Sequence, residues 1–270
     1  METRTAGVLI GALALCCLTL VVAAVYPVST SSSHANVPAS ERFEVGDDAD
    51  AYRTSGRIVV EGNVSLAFEA TVTADGARYQ RLEEEGVTSE QYQASPSDPV
   101  YERLRIEDES DAERLRARIT DDEARRLLHT ERTDDNVTLV VAENGTDLAA
   151  EISGSASVFV RSLYVVGYER VDADATDTTV YGPQSGWYEG TEPYRVTDAT
   201  GTVSTGADTP TVESASVSWK VTDPAGSYAE YLLVRLTGPD PRHYELAYEF
   251  EGGAVDLDRP AWVEDARDES

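Results

Sequence analysis

The stretch "RIVVEGNVSLAFEATVTA", residues 57–74, alternates apolar and polar side chains almost without fault. Ile58, Val60, Val64, Leu66, Phe68 and Val72 share one face, and Arg57, Glu61, Asn63, Ser65, Glu69 and Thr71 share the other. A period of two marks a β-strand with one buried face, and Gly62 is where such a strand would break. Asp75-Gly76 reads as the hairpin turn that follows. "HYELAYEF", 243–250, repeats the design, with Tyr244, Leu246, Tyr248 and Phe250 inward and Glu245 and Glu249 outward. Half-buried strands joined by tight turns point to an antiparallel sheet rather than to alternating strand–helix units.

Further strands are expected at "VSWKV" (217–221), "LLVRL" (232–236), "NVTLVVAENGT" (136–146) and "SVFVRSLYVVGY" (157–168). Turns are expected at Asn144-Gly145, Gly182-Pro183, Asp223-Pro224 and Gly238-Pro239. One segment breaks the pattern. "ESDAERLRARITDDEARRLLHTER" carries two tandem capping boxes, Ser110…Glu113 and Thr120…Glu123. Leu115 and Ile119, then Ala124, Leu127 and Leu128, recur at helical spacing, with Asp121–Arg125 and Asp122–Arg126 as i,i+4 pairs. The segment near 110–131 therefore reads as two short helices, or one kinked at Thr120, packed on a sheet face. The interleaved acids make its arginines a solvated face rather than a partner site. The fold class expected is α+β.

Ahead of these elements, Ala6 to Val28 contains no charged residue. As a helix it would span about 34 Å, enough to cross a hydrocarbon core of about 30 Å. Secretory signals have a shorter apolar region, and Ala23 and Val25 form only a poor small-x-small cleavage site. The reading is a transmembrane anchor over 6–28, or an uncleaved signal, with residues 1–5 cytoplasmic. Arg4 before the run, with Glu41 the first charge after it, sends the rest of the chain outward, giving a single-pass protein with an extracellular C-terminal domain. The only cysteines, Cys16 and Cys17, lie inside the run. Leu15 precedes Cys16 and Cys16 precedes Cys17, so neither has the small residue that lipid attachment needs, and adjacent cysteines make a strained disulfide. They read as apolar filler, with reversible acylation the alternative.

A Ser-rich stalk over 29–41 follows, then an exported β-rich region over 42–264, long enough for one large domain or two small ones, and an acidic tail over 265–270. Without cysteine, that region must be held by a hydrophobic core. The whole chain is also extremely acidic: 50 Asp and Glu against 22 Lys and Arg, a net charge of −28, with Lys220 the only lysine. Such a surface disfavours phosphate contacts, so no nucleic-acid partner is expected. The acids are spread along the chain, as suits molar salt, where the Debye length falls to about 3 Å. In this the composition resembles proteins of extreme halophiles.

No catalytic, cofactor or metal site emerges. His34, His129 and His243 lack partners at ligand spacing, and His129 reads as a helix C-terminal residue. "GPQSGW" lacks the spacing of a nucleophile elbow, leaving Ser185 as a turn residue. Asp172, Asp174 and Asp177 imitate a calcium loop without its glycine and distal glutamate, so they read as a solvated turn. A chain with 50 acids supplies close carboxylate pairs by chance. Fourteen tyrosines against four phenylalanines read mainly as core rings with hydroxyls reaching water. Three sequons, at Asn63, Asn136 and Asn144, are candidate N-glycosylation sites on an exported domain.

"SGWYEG" (185–190), "ASVSWKVTD" (215–223) and "YELAYEFEGGAVDLDRPAWVED" (244–265), with its final Pro260-Ala261-Trp262, resemble the ending of haloarchaeal surface proteins of the lipoprotein-carrier-like (LolA-like) fold group. That resemblance implies a strongly curved antiparallel sheet, an unclosed barrel, wrapped around helices and leaving an apolar cavity. The chain departs from the group at its front, where most members carry a lipid-modified cysteine, and no functional residue carries over. The function expected is a membrane-anchored surface binding or carrier module for an apolar ligand or an envelope partner, tied to the lipid bilayer through residues 6–28. The alternatives are a structural or accessory envelope protein and a carboxylate-based hydrolase. An apolar pocket between sheet and helix would favour the first, a solid core the second, and two inward carboxylates in a cleft the third.

Overall fold

A computed structural model describes residues 30–31, 42–46, 49–172, 178–189, 193–207 and 209–268. The expected anchor at 6–28, most of the 29–41 stalk, His34, and Asp174 and Asp177 of the acidic turn lie outside them. Among the described residues no helix is long and apolar enough to cross a membrane.

The alternating segments form β1 (Tyr52–Val60) and β2 (Asn63–Val72), and the break expected at Gly62 is a hairpin turn. Glu61 and Gly62 both adopt positive φ, 51° and 79°, the pair that a two-residue turn matched to strand twist requires. Across the hairpin Tyr52 faces Val72, Gly56 faces Phe68 and Ile58 faces Leu66, which share one side, but a bulge beyond Ile58 sets Val64 opposite Val59, and Val64 is 38% exposed rather than inward as expected. Asp75-Gly76 turns the chain into β3 (Arg78–Glu84), which is followed by β4 (Val87–Gln93) and β5 (Val100–Ile106). Helix α1 (Glu109–Asp121), β6 (Arg125–Arg132), β7 (Val137–Glu143) and helix α2 (Leu148–Ser162) come next, then a 3-10 turn at Leu163–Val165. The second half contains β8 (Gly167–Asp172), β9 (Thr178–Gln184), β10 (Gly186–Tyr188), β11 (Tyr194–Gly206), β12 (Val212–Thr222), helix α3 (Tyr228–Thr237), β13 (Arg242–Gly252) and helix α4 (Ala261–Asp268).

The strands of the described residues belong to one antiparallel, unclosed sheet in the order β6-β7-β5-β4-β3-β2-β1-β13-β12-β11-β9-β8, with β10 paired to β11 outside that path. With four helices among the described residues the class is α+β. Strand β13 joins the two halves: Leu246 lies opposite both Ile58 of β1 and Val217 of β12. The α2 residues Leu148, Ile152, Ala156, Phe159 and Val160 form the centre of the larger core, packed against Phe68, Tyr168, Trp219 and Tyr248. A smaller core lies under α1, where Ala112 and Ile119 meet Leu104, Ile106 and Leu139. Val100 joins the first core and Leu104 the second, two even-numbered residues of β5, so α1 and α2 share one face of the sheet. The opposite face carries α4, whose Val263 and Ala266 are buried. The fold thus reaches Asp268, past the boundary expected at 264.

Four local expectations are corrected. The helical segment near 110–131 is helical only to Asp121. Asp108, not Ser110, caps α1 through a bond from the Asp111 N–H, and Asp122 stops it by accepting from the Ala124 N–H in a tight turn. Residues 125–132 are instead drawn onto the open edge of β7, where Arg125 lies opposite Glu143 and Arg132 opposite Val137. His129 is therefore a strand residue, and the Asp121–Arg125 and Asp122–Arg126 helix pairs do not exist. "SVFVRSLYVVGY" is the second half of α2 running into β8: Leu148, Ile152, Ala156, Phe159 and Leu163 keep helical spacing, and the Asp147 carboxylate caps the start. "LLVRL" is the C-terminal half of α3, begun by a reciprocal cap in which Ser227 accepts from the Glu230 N–H and Glu230 from the Gly226 N–H. Gly182-Pro183 lies inside β9, opposite Glu169 and Tyr168. The β11 ladder ends at Tyr181, so the missing Pro183 N–H has no ladder partner to lose on that side.

Candidate functional site

The space between α2 and the sheet is filled. Phe159 is fully buried between Phe68 and Tyr248, at ring separations of 5.8 and 6.5 Å. Gly56 on β1 makes room for it, since a Cβ there would lie 2.6 Å from the Phe159 ring. Tyr52, Tyr92, Tyr168, Tyr181, Tyr188 and Tyr248 are buried, so the core-ring reading holds for these rings, but the Tyr168 and Tyr248 hydroxyls are enclosed rather than reaching water as expected. Burial raises the Tyr168 phenol far above its usual range. Phe43 enters this core from the chain ahead of β1, its N–H donating to the Tyr164 hydroxyl at 2.5 Å and its ring meeting Tyr168 at 5.0 Å.

Between the two cores runs a buried polar belt invisible in the sequence. Gln93 is fully buried and ties three segments together. Its Nε2 donates to the Asp98 and Thr146 carbonyls at 2.9 and 3.0 Å, and its Oε1 accepts from Arg78 and from the Leu148 N–H that opens α2. Glu102 on β5 accepts from the Ser89 hydroxyl at 2.9 Å and pairs with Arg125, which also approaches Glu143 at 3.0 Å. Gln91 donates to Glu151 on α2 at 3.1 Å. Burial raises the Glu102 carboxyl above the ordinary range, against the pull of Ser89 and Arg125. Inward carboxylates are thus present, but Glu102 is committed to partners on both oxygens, and the open clefts of the surface are lined by other residues. The belt orients α2 on the sheet.

The outer face carries the clefts. The one with the most varied chemistry, about 550 Å³, lies between α4 and strands β5–β7, where Arg103, Arg105, His129, Glu131, Trp262 and Asp265 converge. Arg103 forks onto Glu90 through Nε at 2.8 Å and Nη2 at 2.6 Å, and its guanidinium stacks 5.1 Å from the Trp262 ring centre. Tyr79 donates to the other Glu90 oxygen at 3.3 Å, and burial together with the Glu90 charge pushes its phenol up to about 12. Arg105 stands 3.9 Å from Glu90 with its side chain 44% exposed. Trp262 Nε1 is buried without a hydrogen-bond partner. Arg105 and His129 line this cleft beside the acceptors Glu131, on the same strand as His129, and Asp265, on the same helix as Trp262, while Arg103 is engaged by Glu90 and the indole Nε1 is enclosed.

A second cleft of about 530 Å³ sits over β1, β13 and β12 and includes Ser218. The Ser218 hydroxyl is 2.8 Å from His243 Nε2, while His243 Nδ1 is 3.8 Å from Glu245, too far to fix the imidazole. Ser218 and His243 are near-opposite residues on paired extended strands, and Ser218 sits on no sharp strand-to-helix turn. The pair reads as a cross-strand contact.

Asn63 and Asn144 are exposed, at the β1–β2 turn and after β7, and Asn136 is half-buried before β7. Ser185 lies between β9 and β10, its hydroxyl accepting from the Ala199 N–H. Among the described residues no cluster of three or more His, Cys, Asp or Glu is placed to hold a metal. Sequence reasoning missed the cleft beneath α4 because its residues come from β5, β6, β7 and the C-terminal helix; the Pro-x-Trp ending was the one signal. No family model matches the chain, and no curated protein matches it significantly.

Proposed function

We propose that this chain is a membrane-anchored, exported surface protein whose domain binds an envelope partner through the cleft beneath α4, rather than carrying an apolar ligand in its interior. The observation behind this reading is the contrast between a filled sheet–helix interface, with Phe159 seated on Gly56, and an open outer cleft where Arg105, 44% exposed, and His129 stand beside the Arg103–Trp262 stack. The cleft suits an acceptor-rich group such as a carboxylate or a sugar. The uncharged run at 6–28, the acidic surface and the three sequons support an extracellular location with the N-terminus cytoplasmic.

The architecture also supports kinship with the lipoprotein-carrier-like group. Laid flat, the nine strand steps from β5 to β8 would span about 43 Å, whereas α2 is about 22 Å long. One core nevertheless includes both Val100 of β5 and Tyr168 of β8, as a sheet bent around α2 would give. In this chain the helix occupies the hollow.

Two measurements test the reading. Native mass spectrometry of the domain cut from its anchor on its own membranes should show no bound lipid-sized mass; a retained one would restore the carrier reading. A photo-crosslinker placed at Glu131 should give one discrete adduct on intact envelopes that Arg105→Glu abolishes. An adduct indifferent to Arg105→Glu would move the binding surface elsewhere.

A further inference from the structure

Helix α3 carries its apolar residues on the unexpected side. Ala229, Leu232, Leu233 and Leu236 recur at i, i+3, i+4 and i+7, the stripe that normally faces a core. Here the half-buried residues are Tyr231 and Val234 on the opposite side, and Leu232, Leu233 and Leu236 are 41%, 60% and 82% exposed. No residue of α3 is buried. In a chain of net charge −28, this helix carries one acid, Glu230, and one base, Arg235.

The chain itself indicates what covers the stripe. Ser31 is held against β10, its N–H donating to the Trp187 carbonyl at 2.9 Å and its carbonyl accepting from the Glu189 N–H at 3.2 Å. Trp187 meets Tyr231 edge-on at 5.1 Å, and Tyr228 packs on Tyr231 at 5.9 Å. The residue fixed at the foot of α3 is therefore only three positions after Val28, the last of the uncharged run, a reach of at most about 10 Å. Trp187, Tyr228 and Tyr231 gather where the chain arrives, and such rings favour the membrane–water interface. A second copy is a poorer occupant, because the stripe of a helix about 15 Å long offers far less than the roughly 800 Å² per partner of a stable dimer.

We infer that α3 lies on the outer surface of the bilayer beside the emerging anchor, with Leu232, Leu233 and Leu236 seated among the acyl chains. The inference rests on the anchored reading above. It makes Ser29–Ser31 a short strap rather than the start of a long stalk, and it fixes which side of the domain faces the membrane.

The test uses full-length protein with Cys16→Ser and Cys17→Ser, carrying a nitroxide at Leu236→Cys and, as a control, at Glu113→Cys on the exposed face of α1. It is reconstituted into phosphatidylcholine vesicles in molar sodium chloride. Collisions with a water-soluble nickel chelate should be about tenfold rarer at 236 than at 113, with oxygen collisions favoured at 236. Leu232→Asp with Leu233→Asp should bring nickel collisions at 236 to the control value while flotation with vesicles persists. Protein that floats with 236 as open to nickel as 113 overturns the inference and leaves anchoring standing. Protein that fails to float overturns the anchored reading and the inference with it. Shielding at 236 that survives release of the domain by external protease assigns the stripe to a second copy and overturns the bilayer contact.

Discussion

Helices α2 and α3 both carry an apolar stripe and meet opposite fates. Four Ser and three Ala surround the larger apolar residues of α2, whereas α3 has three Leu and two Tyr in ten residues, and both contain stretches that read locally as strands. In α2 the apolar positions extend from Leu148 to Leu163 and every one in the core cluster is nearly or fully buried. In α3 the stripe is as regular but two turns shorter, and it points away from the domain. A hydrophobic stripe announces that something covers a face; the covering body follows from where the chain leads. For α2 it is the sheet on either side of β1, and for α3, on the inference drawn from Ser31, it is the bilayer.

Salt acts on the whole domain and has the largest expected effect. Folding concentrates negative charge that only molar salt confines to short range, and no disulfide constrains the unfolded chain. Dialysis to about 0.01 M salt, where the Debye length reaches about 30 Å, should abolish cooperative melting by circular dichroism. An unchanged midpoint would mean that the acidic surface serves another purpose.

Mutation then separates the helices. Phe159→Ala should cost about 3–5 kcal/mol in a denaturant melt in molar salt, because the cavity opens between Phe68, Tyr248 and Gly56. A loss below about 1 kcal/mol would mean that α2 is not the centre of the core.

Proton binding distinguishes the helix seats more finely. Burial raises the Glu102 carboxyl in the folded state, so between its unfolded and folded pKa values the native protein holds a proton that the unfolded chain releases. Stability contributed by this group is therefore gained as pH falls through the raised value and lost as pH climbs back. Melting midpoints should rise on mild acidification, and the rise should be smaller in Glu102→Gln. An equal rise would assign the whole effect to relief of surface charge.

The smallest effect belongs to α3. Leu236→Ser should change the stability of the released domain by less than about 0.5 kcal/mol, as expected of a side chain 82% exposed. A large loss would mean that α3 packs on the domain in solution.

The sheet was legible wherever alternation met a turn signal: β1–β2 follow from Ile58-to-Val72 with Gly62 between and Asp75-Gly76 after them, β12 from "VSWKV" and β13 from Tyr244-to-Phe250. Helix α1 was legible from the helical spacing of Leu115 and Ile119, but α2 and α3 were not, because short windows such as "LLVRL" hold no helical or strand period; α3 becomes visible only when Ser227 and Glu230 are read as its cap. Residues 125–132 have helical spacing and charge pairs, yet the unpaired edge of β7 outweighs that local preference. The cleft beneath α4 was illegible for a different reason. Arg103, His129 and Trp262 are brought together by strand order and by a C-terminal helix crossing the sheet, and neither leaves a local pattern.

Hydrogen–deuterium exchange in molar salt compares the two helices in one experiment, on full-length protein in phosphatidylcholine vesicles and on the domain released from them. The account predicts that α2 is strongly protected in both and that α3 is protected in vesicles but exchanges freely once released. Equal exchange of α3 in the two samples would contradict it.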